Sequence, residues 1–171
     1  AGSTWARSRE VQSFPEFYEW FGRVLPSPAA TASHLACTGP IAYKGHALLQ
    51  ADLANLRSAL AGANPAEVFV PAISPSNVEH WHRNAYYKTQ EEYLFAIAEA
   101  MREEYRAIVD AGFLLQIDDP RLVTYWILDP SLSLAQCRAW CRARVEALNH
   151  ALEGIPEEQI EALNLNAQDH R

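Results

Sequence analysis

The stretch Phe113-Leu114-Leu115-Gln116-Ile117-Asp118-Asp119-Pro120 decides the fold. A near-continuous apolar run suits a strand buried on both faces, and two carboxylates with a proline close it. Pro120 has no N–H and holds the residue before it extended, so the strand ends there. Immediately upstream lies the clearest helix of the chain. Thr89 and Glu92 have capping-box spacing, Leu94, Ile97, Met101, Ile108 and Val109 keep the helical period, and Gly112 stands where a left-handed cap belongs. A helix that feeds an apolar strand is one half of a βαβ unit. The other half is Val68-Phe69-Val70, a short run that Pro71 is expected to stop.

Further outward the alternation continues. Leu49, Leu53, Leu56 and Leu60 form one stripe that ends near Gly62, and another helix is predicted over about residues 133–152, with Gly154 and Pro156 behind it. The first helix is predicted to open at Ser13, three residues before Glu16, with Phe17, Trp20, Phe21 and Val24 on one face and Pro26 and Pro28 closing it. Weaker strands are expected at residues 41–43 and 160–165. Strands alternating with amphipathic helices predict an α/β protein with a parallel sheet, and the lack of repeats or low-complexity linkers reads as a single domain over 1–171. A closed (β/α)8 barrel takes about 250 residues. The chain supplies roughly half of the units, so the expectation is a small open α/β fold or a partial (β/α)8 TIM-type barrel.

Composition narrows the function classes. Apolar residues make up 49% of the chain and aromatic residues 11%, too many for a disordered segment. Fourteen basic against 21 acidic side chains give a net charge of −7, with no Lys/Arg run, which argues against nucleic acid and anionic membrane surfaces as partners. No apolar run approaches the roughly 18 residues of a spanning helix. Cys37, Cys137 and Cys141 make no disulfide framework, and the chain opens on Ala1-Gly2-Ser3-Thr4 with no apolar leader, so the expected location is the cytoplasm.

In parallel α/β architectures ligands meet the carboxyl ends of the strands. Two such places here are polar: the segment Ser74-Pro75-Ser76-Asn77-Val78-Glu79-His80-Trp81-His82-Arg83, and Asp118-Asp119-Pro120. Adjacent carboxylates repel unless donors, a cation or a substrate ammonium stands near, so Asp118 reads as a binder of a cationic group or a general base. The alternative is that one aspartate caps the next helix while its neighbour faces water. His80 and His82 would point the same way in an extended segment, as metal ligands do, or are ordinary surface histidines. Trp81 either stacks on a planar ligand or covers the mouth of the fold. Cys137 and Cys141 fall on the stripe of Leu134, Val145, Leu148 and Leu152 and read as small core hydrophobes. Cys37, before Thr38-Gly39-Pro40, reads equally as site or packing. The absence of a Gly-x-Gly-x-x-Gly, a phosphate-binding loop or a Gly-x-Ser-x-Gly elbow removes most support for dinucleotide hydride transfer, nucleotide hydrolysis and elbow-type esterase chemistry.

Thr38-Gly39-Pro40-Ile41, Phe69-Val70-Pro71-Ala72-Ile73-Ser74-Pro75, the helix over 87–111 and above all Leu115-Gln116-Ile117-Asp118-Asp119-Pro120 resemble the catalytic barrel of cobalamin-independent methionine synthases. The closer resemblance is to the shorter, single-barrel methionine-synthase-II-like proteins, over roughly residues 33–160. The resemblance implies a (β/α)8 barrel, a bound zinc, and methyl transfer to a thiol, from methyltetrahydrofolate to homocysteine in the best-known case. It implies that Asp118 contacts the substrate amino group and makes Trp81 the match for a folate-holding tryptophan; Asp119, Ser74, His80 and His82, read from their places at the strand ends, stand beside them as further substrate-binding candidates. It also implies a His-x-Cys zinc pair on the next strand, with a glutamate and a second cysteine downstream. Counting on from Ile155-Pro156, that pair falls on Leu163 and Leu165, so zinc is expected for the family while its ligands are not present in this chain.

The expected function is therefore that of a methyltransferase-family domain, truncated before the zinc-ligand strands. Its expected partners are an amino-acid thiol, a folate-type methyl donor, and a second copy or a complementary barrel fragment that covers exposed sheet. Two rival readings stand beside it: a hydrolase or lyase using His80, His82, Asp118 and Asp119 on a different metal, and a non-catalytic interaction fragment.

Overall fold

The computed structural model describes residues 8–24 and 35–163. Helices α1 (Arg9–Ser13) and α2 (Pro15–Val24) come first, followed by β1 (Ala36–Cys37), α3 (His46–Ala59), β2 (Phe69–Ile73), α4 (Pro75–Trp81) and β3 (Arg83–Asn84). The long helix α5 (Gln90–Asp110), β4 (Leu114–Asp118), α6 (Arg121–Leu128), α7 (Leu134–Leu152), a short 3-10 turn and β5 (Ile160–Leu163) complete the order. The architecture is α/β with parallel strands. Strands β2, β4 and β5 form one sheet with β4 in the centre, and β1 pairs with β3 in a second; among the described residues neither sheet closes into a barrel. Among those residues no helix is long and apolar enough to cross a membrane.

Local chemistry explains the long elements. Thr89 accepts the Glu92 N–H at the start of α5, and at its far end Gly112 takes φ 86°, which a residue without Cβ adopts freely. Ser133 and Gln136 close a reciprocal capping box on α7, satisfying two donors that the helix itself leaves free. The core lies between the sheet and these two helices. Leu115 and Ile117 of β4 pack with Ala72, Leu94, Ala98, Tyr105 and Ile108, while Ala147 and Ala151 let α7 approach closely. Each fully buried Leu or Ile contributes about 1.5–3 kcal/mol.

Register sorts the sheet into two faces. Val70, Leu115 and Ile160 form one row and Ala72 and Ile117 the next, on the face covered by helices. The alternate rows are Phe69 with Leu114, Pro71 with Gln116 and Glu161, and Ile73 with Asp118 and Leu163. On that open face Phe69 and Ile73 are about half exposed.

Several expectations are corrected. Pro71 does not stop the strand: it lies inside β2, where alternation of the parallel ladder turns its missing N–H away from β4. Leu114 donates to the Val68 carbonyl and Ser74 to that of Asp118, so residues 68, 70, 72 and 74 bond to β4, and 69, 71 and 73 face the free edge. Residues 41–43 form no strand, because the Ile41 N–H is taken by the Tyr87 hydroxyl at 2.8 Å; β1 forms earlier, at Ala36–Cys37. Ser13 caps nothing. Its hydroxyl turns back to the Arg9 carbonyl, Ser8 caps a separate α1, and α2 starts on Pro15. The aromatic face of α2 is exposed rather than core, and Pro26 and Pro28 lie outside the described residues. On α7, Leu134 and Val145 are exposed, since the face that meets α5 is the one carrying the small residues.

Candidate functional site

The carboxyl ends of β2 and β4 lie side by side, and the segment after β2 is helical. Ser74 is the N-cap of α4, Pro75 fills its first turn, and residues 74–77 are buried. This corrects the reading of 74–83 as an extended loop. The helix places Asn77 Nδ2 3.1 Å from the Asp118 carbonyl, which also accepts the Ser74 N–H at 3.1 Å. The Asp118 backbone is thus held from two sides.

The two aspartates point to opposite faces, as successive strand residues must. Asp119 continues the helix-side row. It is buried, and its Oδ1 accepts from Ser76 Oγ at 2.7 Å and from the Arg121 N–H at 3.2 Å, while Ser74 Oγ lies 2.9 Å from Ser76 Oγ. One chain of hydroxyls therefore ties the start of α4 to the start of α6. Asp118 follows Leu114 and Gln116 onto the open face. Its Oδ1 is buried from solvent with no hydrogen-bond partner, as is Oδ2 of Asp119. A carboxylate oxygen removed from water is costly to leave unpaired, and both aspartates keep one such oxygen at this strand end.

The remaining candidates do not converge on Asp118. His80 is exposed in the last turn of α4, edge-on to Trp81 with ring centroids 5.7 Å apart. His82, the C-cap, is half-buried, its Nδ1 3.1 Å from the Val78 carbonyl. The helical turn separates the two histidines that an extended chain would have aligned. Trp81 is exposed, with the Arg121 guanidinium 5.8 Å from its ring centroid. Burial pushes the Arg121 guanidinium below its ordinary pKa, opposed by the Asp119 carboxylate. Cys137 is buried, and the half-buried Cys141 donates to the Leu122 carbonyl at 3.3 Å; burial pushes its thiol up, away from the thiolate a metal would need. Among the described residues no three His, Cys, Asp or Glu side chains gather where they could hold a metal. Leu163 is the register partner of Asp118 on β5, and Leu165 lies outside the described residues.

Sequence reasoning placed Ser76 and Asn77 in a polar segment without giving them a role, and it missed Arg121. A serine followed by proline is a helix-start signal, and reading Ser74-Pro75 that way would have placed Asn77 one turn in, facing the strand end.

The chain is 31% identical over 88 residues to a methionine synthase of Sulfolobus acidocaldarius, an alignment covering 51% of this chain and 25% of that protein. It is 32% identical over 82 residues to one of Saccharolobus islandicus, covering 47% and 21%, and 29% identical over 87 residues to one of Thermococcus kodakarensis, covering 50% and 22%. The chain thus spans a fifth to a quarter of the length of these relatives. No family model matches it. The partial likeness points to an enzyme family concerned with methyl transfer and methionine biosynthesis.

Proposed function

We propose that this chain forms part of a methionine-synthase-like barrel, and that the open face of its sheet binds the ammonium group of an amino-acid thiol of the homocysteine type. The thiol is the acceptor of a methyl group from a methyltetrahydrofolate-type donor. The observation that carries this reading is the buried, unpartnered Oδ1 of Asp118 at the end of the central strand. A carboxylate so placed gains a charge-assisted bond when an ammonium arrives, and a backbone pinned by Ser74 and Asn77 sets the direction in which the rest of the amino acid lies. Asp119 lies on the helix-side face, where its Oδ1 accepts from Ser76 and the Arg121 N–H and holds that strand end.

The residues beside Asp118 do not fit a zinc ion. Its register partners are Ile73 and Leu163, residue types with no lone pair for a metal, and so no step is assigned to zinc. The rival metal-dependent hydrolase loses ground for a related reason, since His80 and His82 diverge at the end of α4.

Calorimetric titration with homocysteine tests the reading. Asp118→Asn should weaken binding by about tenfold, the value of one charge-assisted hydrogen bond. Equal affinity in both proteins would remove Asp118 from the site.

A further inference from the structure

Two apolar helix faces outside the sheet have nothing against them among the described residues. On α2, Phe17, Trp20, Phe21 and Val24 share one face and each is at least a third exposed. On α7, Leu134 and Val145 lie about three turns apart and so on one line, and both are exposed.

Both faces belong to one corner of the molecule. The Arg9 guanidinium donates to the carbonyls of Trp126, Pro130 and Leu132, at the end of α6 and just ahead of α7, and lies 3.8 Å from the centre of the Trp126 ring. Helix α1 is thereby pinned at the entry of α7, and only Phe14 separates it from α2. With α1 pinned, α2 leaves its own aromatic face and the Leu134–Val145 line of its own chain both uncovered.

The charges beside the two faces are complementary in their order along the chain. Helix α2 carries Glu16, Glu19 and Arg23 on one flank of its aromatic face, and α7 carries Arg138, Arg142 and Glu146 on one flank of the Leu134–Val145 line. All six are exposed, and none forms an ion pair among the described residues. The charged flanks lie on opposite sides of their apolar lines, as the facing e and g positions of a parallel helix pair do. Laid parallel with Glu16 level with Arg138, the equal rise of the two helices brings Glu19 to Arg142, Arg23 to Glu146 and Val24 to Val145, each within about one residue. The reverse direction sets Arg23 against Arg138 and Glu16 against Glu146, like against like.

We propose that two copies of this chain pair by exchanging α2: the helix of each lies parallel along α7 of the other, its aromatic face on the Leu134–Val145 line. Giving and receiving faces share one corner, so the exchange is reciprocal, a two-fold axis closes it, and assembly through this contact stops at a dimer. Specific dimers bury about 1,200–2,000 Å², and reciprocity doubles what a single helix face supplies. The inference uses no residue of the sheet and does not depend on the reading of Asp118.

Sedimentation equilibrium of the full chain tests it. A dimer should form at micromolar concentration and weaken as salt is raised. Trp20→Ser should weaken it by more than about tenfold. Glu19→Arg and Arg142→Glu should each weaken it about tenfold, because a like-charge contact then occurs twice. The decisive arm is an equimolar mixture of those two single variants. Each alone sets like charges together, whereas the mixed pair sets opposite charges together at both contacts, so mixing should restore the dimer. All three positions are exposed, and each variant should keep its helix content by circular dichroism. A parent chain that stays monomeric, a dimer indifferent to Trp20→Ser, or charge variants that stay weak on mixing would each overturn the proposal. Recovery in a chain carrying both charge substitutions, but not in the mixture, would overturn it by placing α2 on its own α7.

Discussion

Asp118 and Asp119 are neighbours with opposite duties, and the difference is measurable without any ligand. Asp119 is buried and accepts from a serine hydroxyl and a backbone N–H, so Asp119→Ala strands both donors. Its cost should be about 1–3 kcal/mol, a fall in thermal midpoint of several degrees for a chain of this size. Asp118→Asn removes a charge whose Oδ1 has no partner, so the midpoint should hold or rise. Thermal unfolding of the two variants decides the matter, and equal losses would mean that the faces of β4 are not functionally separate. His80 gives the contrast: it is exposed, and His80→Ala should leave stability within about 0.5 kcal/mol.

At the scale of elements, α4 is held by one buried ion pair. Arg144 of α7 grips Glu79 with two nitrogens, one Nε–Oε2 contact being 3.0 Å, and Gln90 donates to the same carboxylate at 2.7 Å. The Arg144 guanidinium also lies 4.1 Å from the centre of the Trp140 ring. Arg144→Met should destabilise by about 3–5 kcal/mol, because Glu79 is left charged in a dry place, whereas Glu79→Leu with Arg144→Met should recover most of that. Denaturant unfolding of the single and double variants measures it.

Helix α5 carries a second device, the Tyr105 hydroxyl on the Ile73 carbonyl at 2.6 Å. Burial pushes this phenol well above its ordinary pKa. A raised folded pKa means stability that is complete below the unfolded value, about 10, and lost as pH climbs through and beyond it. The thermal midpoint should therefore fall above pH 10, and Tyr105→Phe should flatten that slope while costing about 1 kcal/mol at neutral pH.

These elements differ in how well the sequence announced them. The α5–β4 unit was legible because period, caps and a run of apolar residues agreed along Thr89 to Pro120. So was the end of β4 at Asp118, where two acids and a proline follow the apolar run. What stayed hidden depended on three-dimensional context: whether the N–H that Pro71 lacks faced a neighbour, whether Glu79 and Arg144, 65 positions apart, would meet, and whether the aromatic stripe of α2 had anything to cover it.

For the molecule as a whole, the open face is the dominant fact. Phe69 and Ile73 stand about half exposed on one side of the sheet, and Phe17, Trp20 and Val24 are similarly exposed on α2. Such surface favours association, and light scattering should show self-assembly or aggregation at micromolar concentration. A monomer that ignores hydrophobic dyes would count against it. The free edge of β2 should contribute little, since Pro71 offers no donor there and Tyr105 already occupies the Ile73 carbonyl. Pro71→Val restores a donor at that edge and should increase association, whereas Phe69→Ser should reduce it.

The alternation within β2 leaves its own signature in time. Val70 and Ala72 turn their amides to β4, while those of Phe69 and Ile73 face an edge with no strand against it among the described residues. In deuterated water, protons one residue apart on a single strand should exchange at rates set by different events. Phe69 and Ile73 should lose theirs without any opening of the sheet, and Val70 and Ala72 only when β2 leaves β4. A partner that docks along that edge would slow the first pair and leave the second untouched, so the strand records which of its two sides is occupied.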